Sequence, residues 1–207
     1  MIKGFYFITD SNLSLQGNIK DVLCAIKANV GIIQYRNKKL KNKKPIKELL
    51  SICEICKKYK VKFLVNDNID IALKINADGV HLGQNDISCN IARKMLGKKK
   101  IIGITVRNVN QAIKAEQDKA NYISIGPIFH TTTKKDAPKA KGISLIKTIK
   151  QECSIPIVAI GGINLKNAKS VIKNGANAIC SISDVVTKQN ITNQILKYQK
   201  LFEKCSM

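Results

Sequence analysis

The 207-residue chain is poor in acidic and aromatic residues and has no tryptophan. Aromatic residues make up 5% of it, and 14 acidic residues stand against 36 basic ones. No apolar run approaches the roughly 18–20 residues that a membrane-spanning helix needs. Met1 to Thr9 lead straight into a strand-like segment, with too short an apolar stretch for a signal peptide. These absences argue against a membrane protein, and we expect a cytoplasmic location.

The few arginines decide how the net charge of +22 is interpreted. All basic residues except Arg36, Arg93 and Arg107 are lysines. Such a charge suits an anionic partner, either nucleic acid or a phosphorylated metabolite, but it also suits solvated helix faces. The lysine clusters lack interleaved aromatic residues on which bases could stack. We therefore expect no nucleic-acid partner, although the charge could help to recruit anionic small molecules.

The seven cysteines are an odd number and show no metal-binding pattern. Cys53 and Cys56 form the one close pair, within a helical pattern, and no second pair completes a zinc site. We expect buried, apolar thiols.

The chain alternates short apolar strands with helical patterns eight times, without a linker or a second domain. The predicted strands are Gly4–Thr9, Gly31–Arg36, Lys62–Asn66, Gly79–Leu82, Ile101–Thr105, Tyr122–Ile125, Ile155–Ile160 and Ala178–Ser181. The predicted helices are Ile19–Asn29, Pro45–Tyr59, Ile69–Ile75, Ser88–Leu96, Asn108–Asp118, Ser144–Gln151, Leu165–Lys173 and Ile191–Glu203. Continuously apolar, β-branched strands are typical of parallel sheets covered on both faces. The pattern predicts an α/β fold, a single-domain (β/α)8 TIM barrel over residues 1–207; a doubly wound open sheet is the alternative.

Polar or glycine residues follow almost every predicted strand, and a parallel barrel gathers such strand ends at one rim, where active sites form. In the second strand Gln34, Arg36 and Lys38 alternate, so they share one side with Ile32. Two cations and an amide at the barrel mouth suit a diphosphate, which arginine can bind in a bidentate manner. The alternative is an arginine that packs at the rim and pairs with an acid.

Two carboxylates follow the next two strands. Asp67 ends the third strand and Asp86 follows the fourth, so both could hold one cation. Mg²⁺ prefers one or two carboxylates, with substrate phosphates completing its octahedron. Alternatively, each aspartate caps the helix that begins after it, near Ile69 or Ser88.

The longest connection, residues 126–142, is predicted to be a substrate lid. Thr131, Thr132, Thr133 and Lys134 could grip anionic oxygens there, and His130 could be an acid–base group, although most lone loop histidines are not.

Two further loops close the rim. Gly161 and Gly162 follow the seventh strand and are predicted to open a helix whose N–H groups approach a phosphate, and Ser181 to Ser183 follow the eighth. No Ser-His-Asp or Cys-His arrangement is visible. The polar groups suit departure of a diphosphate, where stabilising negative charge provides most of the catalysis.

These segments together resemble the thiamine phosphate synthase family, in order along the whole chain. They are Gln34–Lys38, Asn66–Asp67, Gly79–Asp86, Gly126–Pro127 with Thr131–Asp136, Ile160–Ile163 and Ser181–Ser183. The resemblance implies a Mg²⁺-dependent transferase. The pyrimidinylmethyl group of 4-amino-5-hydroxymethyl-2-methylpyrimidine diphosphate would move to the nitrogen of 4-methyl-5-(2-hydroxyethyl)thiazole phosphate, giving thiamine phosphate and pyrophosphate.

The resemblance also implies roles for individual residues. Gln34, Arg36 and Lys38 would hold the pyrimidine diphosphate, Asn66 would read the aminopyrimidine, and Thr105 would lie near it. Asp67 and Asp86 would ligate Mg²⁺. Thr131, Thr132 and Thr133, with Gly162, Ile182 and Ser183, would hold the thiazole phosphate. Lys134 would return to the diphosphate, and it and Arg36 would be the catalytic residues.

Three positions depart from the family pattern: Asn37 replaces a frequent glutamate, Thr105 the usual serine, and Arg107 a common histidine. The last puts the geometry at the fifth strand end in doubt. A related thiazole tautomerase and a non-enzymatic barrel that binds phosphorylated ligands or nucleic acid are the alternatives, and the presence of both aspartates favours the synthase.

Overall fold

The computed structural model describes residues 2–37, 43–133 and 138–206. Nine parallel strands form one sheet, ordered β1-β9-β8-β7-β6-β5-β4-β3-β2. They are β1 (Gly4–Phe5), β2 (Phe7–Ile8), β3 (Ile32–Tyr35), β4 (Lys62–Asn66), β5 (Gly79–Leu82), β6 (Ile101–Val106), β7 (Tyr122–Ile125), β8 (Ile157–Ile160) and β9 (Ala178–Cys180). The helices are α1 (Asn18–Lys27), α2 (Lys43–Lys58), α3 (Ile69–Lys74), α4 (Cys89–Leu96), α5 (Val109–Gln117), α6 (Ser144–Glu152), α7 (Ala168–Lys173), α8 (Ser183–Val186) and α9 (Ile191–Ser206).

The sheet closes because β1 and β2 are the two halves of one first strand around Tyr6. The lower half pairs with β9, with Gly4 opposite Ala178, and the upper half pairs with β3, with Phe7 opposite Ile33. Tilted, staggered strands produce this shift of partner in a barrel. The predicted (β/α)8 barrel is confirmed, and its single first strand is in fact two pieces.

Side chains alternate between the barrel interior and the layer beneath the helices. Tyr6, Ile8, Ile32, Leu64 and Tyr122 belong to the interior cluster, which Val158, Ala178 and Cys180 complete. The much larger apolar cluster lies between strands and helices. Burial on both faces explains why the strands are continuously apolar in sequence.

Two features of the helices at the rim differ from the prediction: where α7 begins, and the presence of α8. The predicted helix from Leu165 begins only at Ala168. The Asn164 side chain accepts hydrogen bonds from the Lys166 and Asn167 amides (2.9 and 3.3 Å), and this local turn delays the helix. The short helix α8, directly after β9, was not predicted because one turn carries no detectable periodicity.

Five of the seven cysteines are buried, and all seven are free, as predicted. Burial raises the pKa of the Cys56 thiol to about 12, so this thiol is inert at neutral pH. None of the helices in the described ranges is both long enough and apolar enough to span a bilayer.

Candidate active site

A cavity of about 390 Å³ opens at the carboxyl ends of the strands. Its size lies within the range usual for small-molecule sites. The predicted site residues that line it are Gln34, Arg36, Asn66, Asp67, Asp86, Thr105, Thr131, Thr133, Gly162, Ile182 and Ser183. Thr132 is exposed and is not among the lining residues. Lys38 and Lys134 lie outside the described residues.

Arg36 is held at the cavity wall by an acidic partner that the sequence analysis missed. Its Nη1 lies 3.4 Å from Oδ2 of Asp10, a buried residue. The other Asp10 oxygen accepts hydrogen bonds from the Asn12 and Leu13 amides (3.0 and 3.2 Å), which fixes the carboxylate. Arg36 therefore both pairs with an acid and lines the cavity. No sequence signal linked the pair, because its partners lie 26 residues apart.

Neither Asp67 nor Asp86 caps a helix. The N-cap of α3 is Asn68, whose side chain accepts from the Ile71 amide, and the N-cap of α4 is Ser88, which accepts from the Ile91 amide. Capping by the neighbouring residues leaves both aspartates available to the cavity. Asp86 instead accepts a hydrogen bond from the Gly83 amide at 2.7 Å.

The two carboxyl groups interact with each other. Asp67 is exposed at the cavity mouth, yet partial desolvation by its neighbours raises its pKa to about 6, and the charge of Asp86 and a hydrogen bond to it contribute in the same direction. Asn66 and Arg36 oppose this shift. Two adjacent oxygen donors that repel each other when ionised are a fitting site for a hard divalent cation. Among the described residues no third His, Cys, Asp or Glu joins them, which suits Mg²⁺ completed by substrate and water oxygens.

The opposite wall is assembled from backbone rather than from charged groups. The Ile128 and Phe129 amides donate to the Ile160 and Gly161 carbonyls (2.9 and 3.0 Å), so the base of the predicted lid lies against the end of β8. On the returning limb, the Lys141 amide donates to the Pro127 carbonyl at 2.8 Å. The Gly126–Pro127 peptide is cis.

Gly162 is required by this packing. Its φ is +64°, and a Cβ there would lie 2.4 Å from the His130 carbonyl oxygen and 2.7 Å from the Phe129 Cβ. The Asn167 side chain donates to the Gly162 carbonyl at 2.9 Å. The prediction that this glycine pair opens a helix is wrong, because α7 begins at Ala168. The glycines instead allow residues 127–130, the base of the predicted lid, to approach β8.

Ile182 and Ser183 line the cavity where β9 leads into α8. Asp184 anchors this short helix to α9, since its Oδ2 accepts hydrogen bonds from the Tyr198 hydroxyl (2.5 Å) and from Nε2 of the Gln194 side chain (2.8 Å). Thr131 and Thr133 line the same wall, and the Thr133 amide donates to the Thr131 hydroxyl at 3.3 Å. His130 is exposed.

A chain of hydrogen bonds crosses the cavity floor. Gln34 Nε2 donates to the Tyr6 hydroxyl (2.8 Å), which lies 2.7 Å from the Tyr122 hydroxyl. Tyr122 lies 2.8 Å from His81 Nδ1, and His81 Nε2 lies 2.9 Å from the Thr105 hydroxyl. Burial lowers the pKa of His81 to about 4, against a smaller opposing effect of Asp86. The ring is therefore neutral at neutral pH.

His81 has no predicted role of its own from the sequence. Its neighbours Val80 and Leu82 face the helices. Strand alternation alone places His81 inside the barrel. Tyr122 reaches it because Gly103 makes room: a Cβ on Gly103 would lie 2.0 Å from the Tyr122 Cζ.

Comparison with known proteins gives a consistent result. Residues 5–185 match the family model described as thiamine monophosphate synthase. The thiamine-phosphate synthase of Methanosarcina barkeri is 45% identical over 190 residues, 92% of this chain and 86% of that protein. That of Clostridium novyi is 43% identical, covering 90% and 92%. The solved thiamine phosphate pyrophosphorylase of Pyrococcus furiosus superposes with a TM-score of 0.85 at 32% identity, covering 98% and 96% of the two chains. The chain belongs to the thiamine monophosphate synthase family.

Proposed function

We propose that this chain is a thiamine phosphate synthase that requires Mg²⁺. It joins the pyrimidinylmethyl group of 4-amino-5-hydroxymethyl-2-methylpyrimidine diphosphate to the nitrogen of 4-methyl-5-(2-hydroxyethyl)thiazole phosphate. The observation that carries the proposal is the pair of adjacent carboxylates beside Arg36, in one cavity with a wall that presents the Thr131 and Thr133 hydroxyls. Curated relatives of this family at 40–45% identity are named thiamine-phosphate synthase.

The diphosphate side consists of Gln34, Arg36, Asn66, Asp67 and Asp86. Asp67 and Asp86 hold Mg²⁺, which when bound neutralises the charge that develops on the departing diphosphate. Arg36, already oriented by Asp10, donates two parallel hydrogen bonds to diphosphate oxygens. Gln34 helps to hold the diphosphate, and Asn66 orients the aminopyrimidine ring. Lys38 and Lys134, which the resemblance also assigns to the diphosphate, would add positive charge.

The second side binds the thiazole phosphate through the Thr131 and Thr133 hydroxyls, Gly162, Ile182 and Ser183; Thr132 belongs to this set in the family pattern. These groups are uncharged, so they grip a phosphate without competing for the cation. They also turn the thiazole nitrogen towards the pyrimidine methylene carbon, which provides the benefit of proximity and orientation.

The reaction balances without a protein nucleophile. The bond between the methylene carbon and the diphosphate oxygen breaks, and its electron pair leaves with the diphosphate. The thiazole nitrogen lone pair then forms the new carbon–nitrogen bond, which gives the thiazolium ring of thiamine phosphate. No cysteine lines the described part of the cavity, and within the described residues no hydrogen bond joins Ser124, Ser181 or Ser183 to a histidine.

The test is pyrophosphate release from the purified protein with both substrates and Mg²⁺, with each component omitted in turn. Release should need all three, and thiamine phosphate should form in equal amount. No release from the complete mixture would contradict the proposal. Thiazole isomerisation in its place would favour the related tautomerase, and only salt-sensitive binding of polyanions would favour a non-enzymatic barrel.

A further inference from the structure

The hydrogen-bonded chain on the cavity floor has a direction, and proton counting determines it. Each tyrosine hydroxyl carries one proton, and the neutral His81 ring carries one on either nitrogen. Because the Tyr6 hydroxyl accepts from Gln34 Nε2, its own proton points to the Tyr122 oxygen. Tyr122 then donates to His81 Nδ1, and His81 Nε2–H donates to the Thr105 oxygen.

The opposite direction leaves a proton without an acceptor. If Thr105 donated to His81 and His81 to Tyr122, then Tyr122 would donate to Tyr6, which would already receive Gln34. The Tyr6 proton would then have no acceptor among the hydrogen bonds of the described residues. Tyr6 and Tyr122 are buried, where a donor without an acceptor is strongly unfavourable. The whole chain could run in the opposite direction only if the oxygen and nitrogen of the Gln34 side-chain amide exchanged places, so that Tyr6 donated to Gln34.

We propose that His81 is a positioning residue: as its Nε2–H tautomer, set by Tyr122 and Tyr6, it occupies the Thr105 oxygen and leaves the Thr105 proton for an acceptor on the pyrimidine substrate. The inference rests on the proposed function, since the acceptor belongs to that substrate. Thr105 is suited to this role, because it lines the cavity and its hydroxyl oxygen accepts the hydrogen bond from His81 Nε2–H on the side of the barrel interior.

The burial of His81 agrees with this role. Its ring stacks on Tyr122 with 5.5 Å between centroids, and its pKa of about 4 keeps a single ring proton across the neutral range. A ring of fixed charge and orientation holds a neighbouring hydroxyl in one rotamer. The Thr105 donor is thus oriented before the substrate binds.

The direct test is ¹⁵N NMR of histidine-labelled protein without substrates. The chain has only two histidines, so a His130→Asn variant assigns the signals. We expect His81 to show a protonated Nε2 and an unprotonated Nδ1. An Nδ1–H tautomer would overturn the proposal. This measurement does not depend on activity, so it remains decisive if the proposed reaction fails.

Variants then connect the tautomer to turnover. Tyr122→Phe removes the donor to Nδ1, so the ¹⁵N signal of the unprotonated Nδ1 should shift to that of a nitrogen that accepts no hydrogen bond, with about a tenfold loss of kcat/KM. Thr105→Val should keep the tautomer and lose about tenfold, whereas Thr105→Ser should stay within about threefold of the parent. Tyr35→Phe is the matched control, since its buried hydroxyl bonds Glu48 outside the cavity (2.6 Å) and should leave the tautomer unchanged. Equal activity of Thr105→Val and Thr105→Ser, or an unchanged Nδ1 signal in Tyr122→Phe, would contradict the mechanism.

Discussion

The two walls of the cavity are built by different means. The wall at the ends of β3, β4 and β5 presents Arg36, Asp67 and Asp86, charged side chains fixed by neighbouring groups on short loops. The wall at the ends of β7, β8 and β9 presents hydroxyls, glycine and backbone, on a lid base fixed by main-chain hydrogen bonds. The first wall can manage the charge of a leaving group, and the second mainly sets position.

This difference predicts two kinds of failure. On the charged wall, a substitution that keeps the shape should remove chemistry and leave the fold intact. On the backbone wall, one added methyl group should move the base of the lid. Binding of the thiazole phosphate should then weaken, while binding of the pyrimidine diphosphate stays nearly unchanged.

The largest effect is expected at Asp86. Asp86→Asn keeps the size of the side chain and an oxygen that can accept from the Gly83 amide, but it removes one charge from the proposed Mg²⁺ site. We expect kcat to fall about 100-fold or more, because several kcal/mol of charge stabilisation are lost. Pyrophosphate release measured against Mg²⁺ concentration should also reach half its maximum at a higher concentration than in the parent.

Asp70→Asn is the matched control for that experiment. Asp70 is an exposed residue in the first turn of α3, three positions after Asp67. Its loss of charge should leave kcat within about twofold, since Asp70, unlike Asp86, does not line the cavity. Full activity of Asp86→Asn at every Mg²⁺ concentration would refute the assignment of the charged wall.

An intermediate effect is expected at Gly162. In Gly162→Ala the new Cβ meets the His130 carbonyl at 2.4 Å, so the lid base must shift. We expect about a tenfold rise in KM for the thiazole phosphate, with KM for the pyrimidine diphosphate changed far less. Steady-state kinetics with each substrate varied separately distinguishes the two.

Gly97→Ala separates the clash from backbone strain. Gly97 also has a positive φ, +72°, but a Cβ there meets nothing within 4 Å. Both variants should lose about 1 kcal/mol or more of unfolding free energy through strain, and only Gly162→Ala should change KM. If Gly97→Ala raised the same KM, loss of stability rather than lid position would explain the effect.

The charged wall was easier to predict from sequence than the backbone wall. Gln34, Arg36, Asp67 and Asp86 carry recognisable chemistry and stand at strand ends, so strand alternation and barrel topology bring them together. What the sequence concealed were contacts at long range: Asp10 beside Arg36, and Tyr122 beside His81. Tyrosine and histidine within apolar strands look like ordinary core residues until their partners are known.

On the other wall, the role of Gly162 depends on a loop that no local pattern connects to it. The glycine suggested a helix N-terminus, but Asn164 and Asn167 form a turn that delays α7. The space that a Gly162 side chain would fill is occupied by Phe129 and His130. The local turn competes with the helix in a way that periodicity does not report. The contact of Gly162 with His130 joins residues about 30 positions apart, so no local pattern predicts it.

The smallest effects concern exposed cations, which the net charge of +22 supplies in abundance. Arg107 is exposed and lines the cavity, whereas Lys114 lies on α5, 2.9 Å from Asp118 in an i,i+4 pair. Arg107→Gln should raise KM for the diphosphate substrate about two- to fivefold at low salt, and the difference should shrink as salt screens the charge.

Lys114→Gln, the control, removes the same charge and should lower the free energy of unfolding in urea by about 0.3–0.5 kcal/mol, without changing KM. Equal effects of the two variants on KM would mean that overall charge, and not position at the cavity, recruits the anionic substrate.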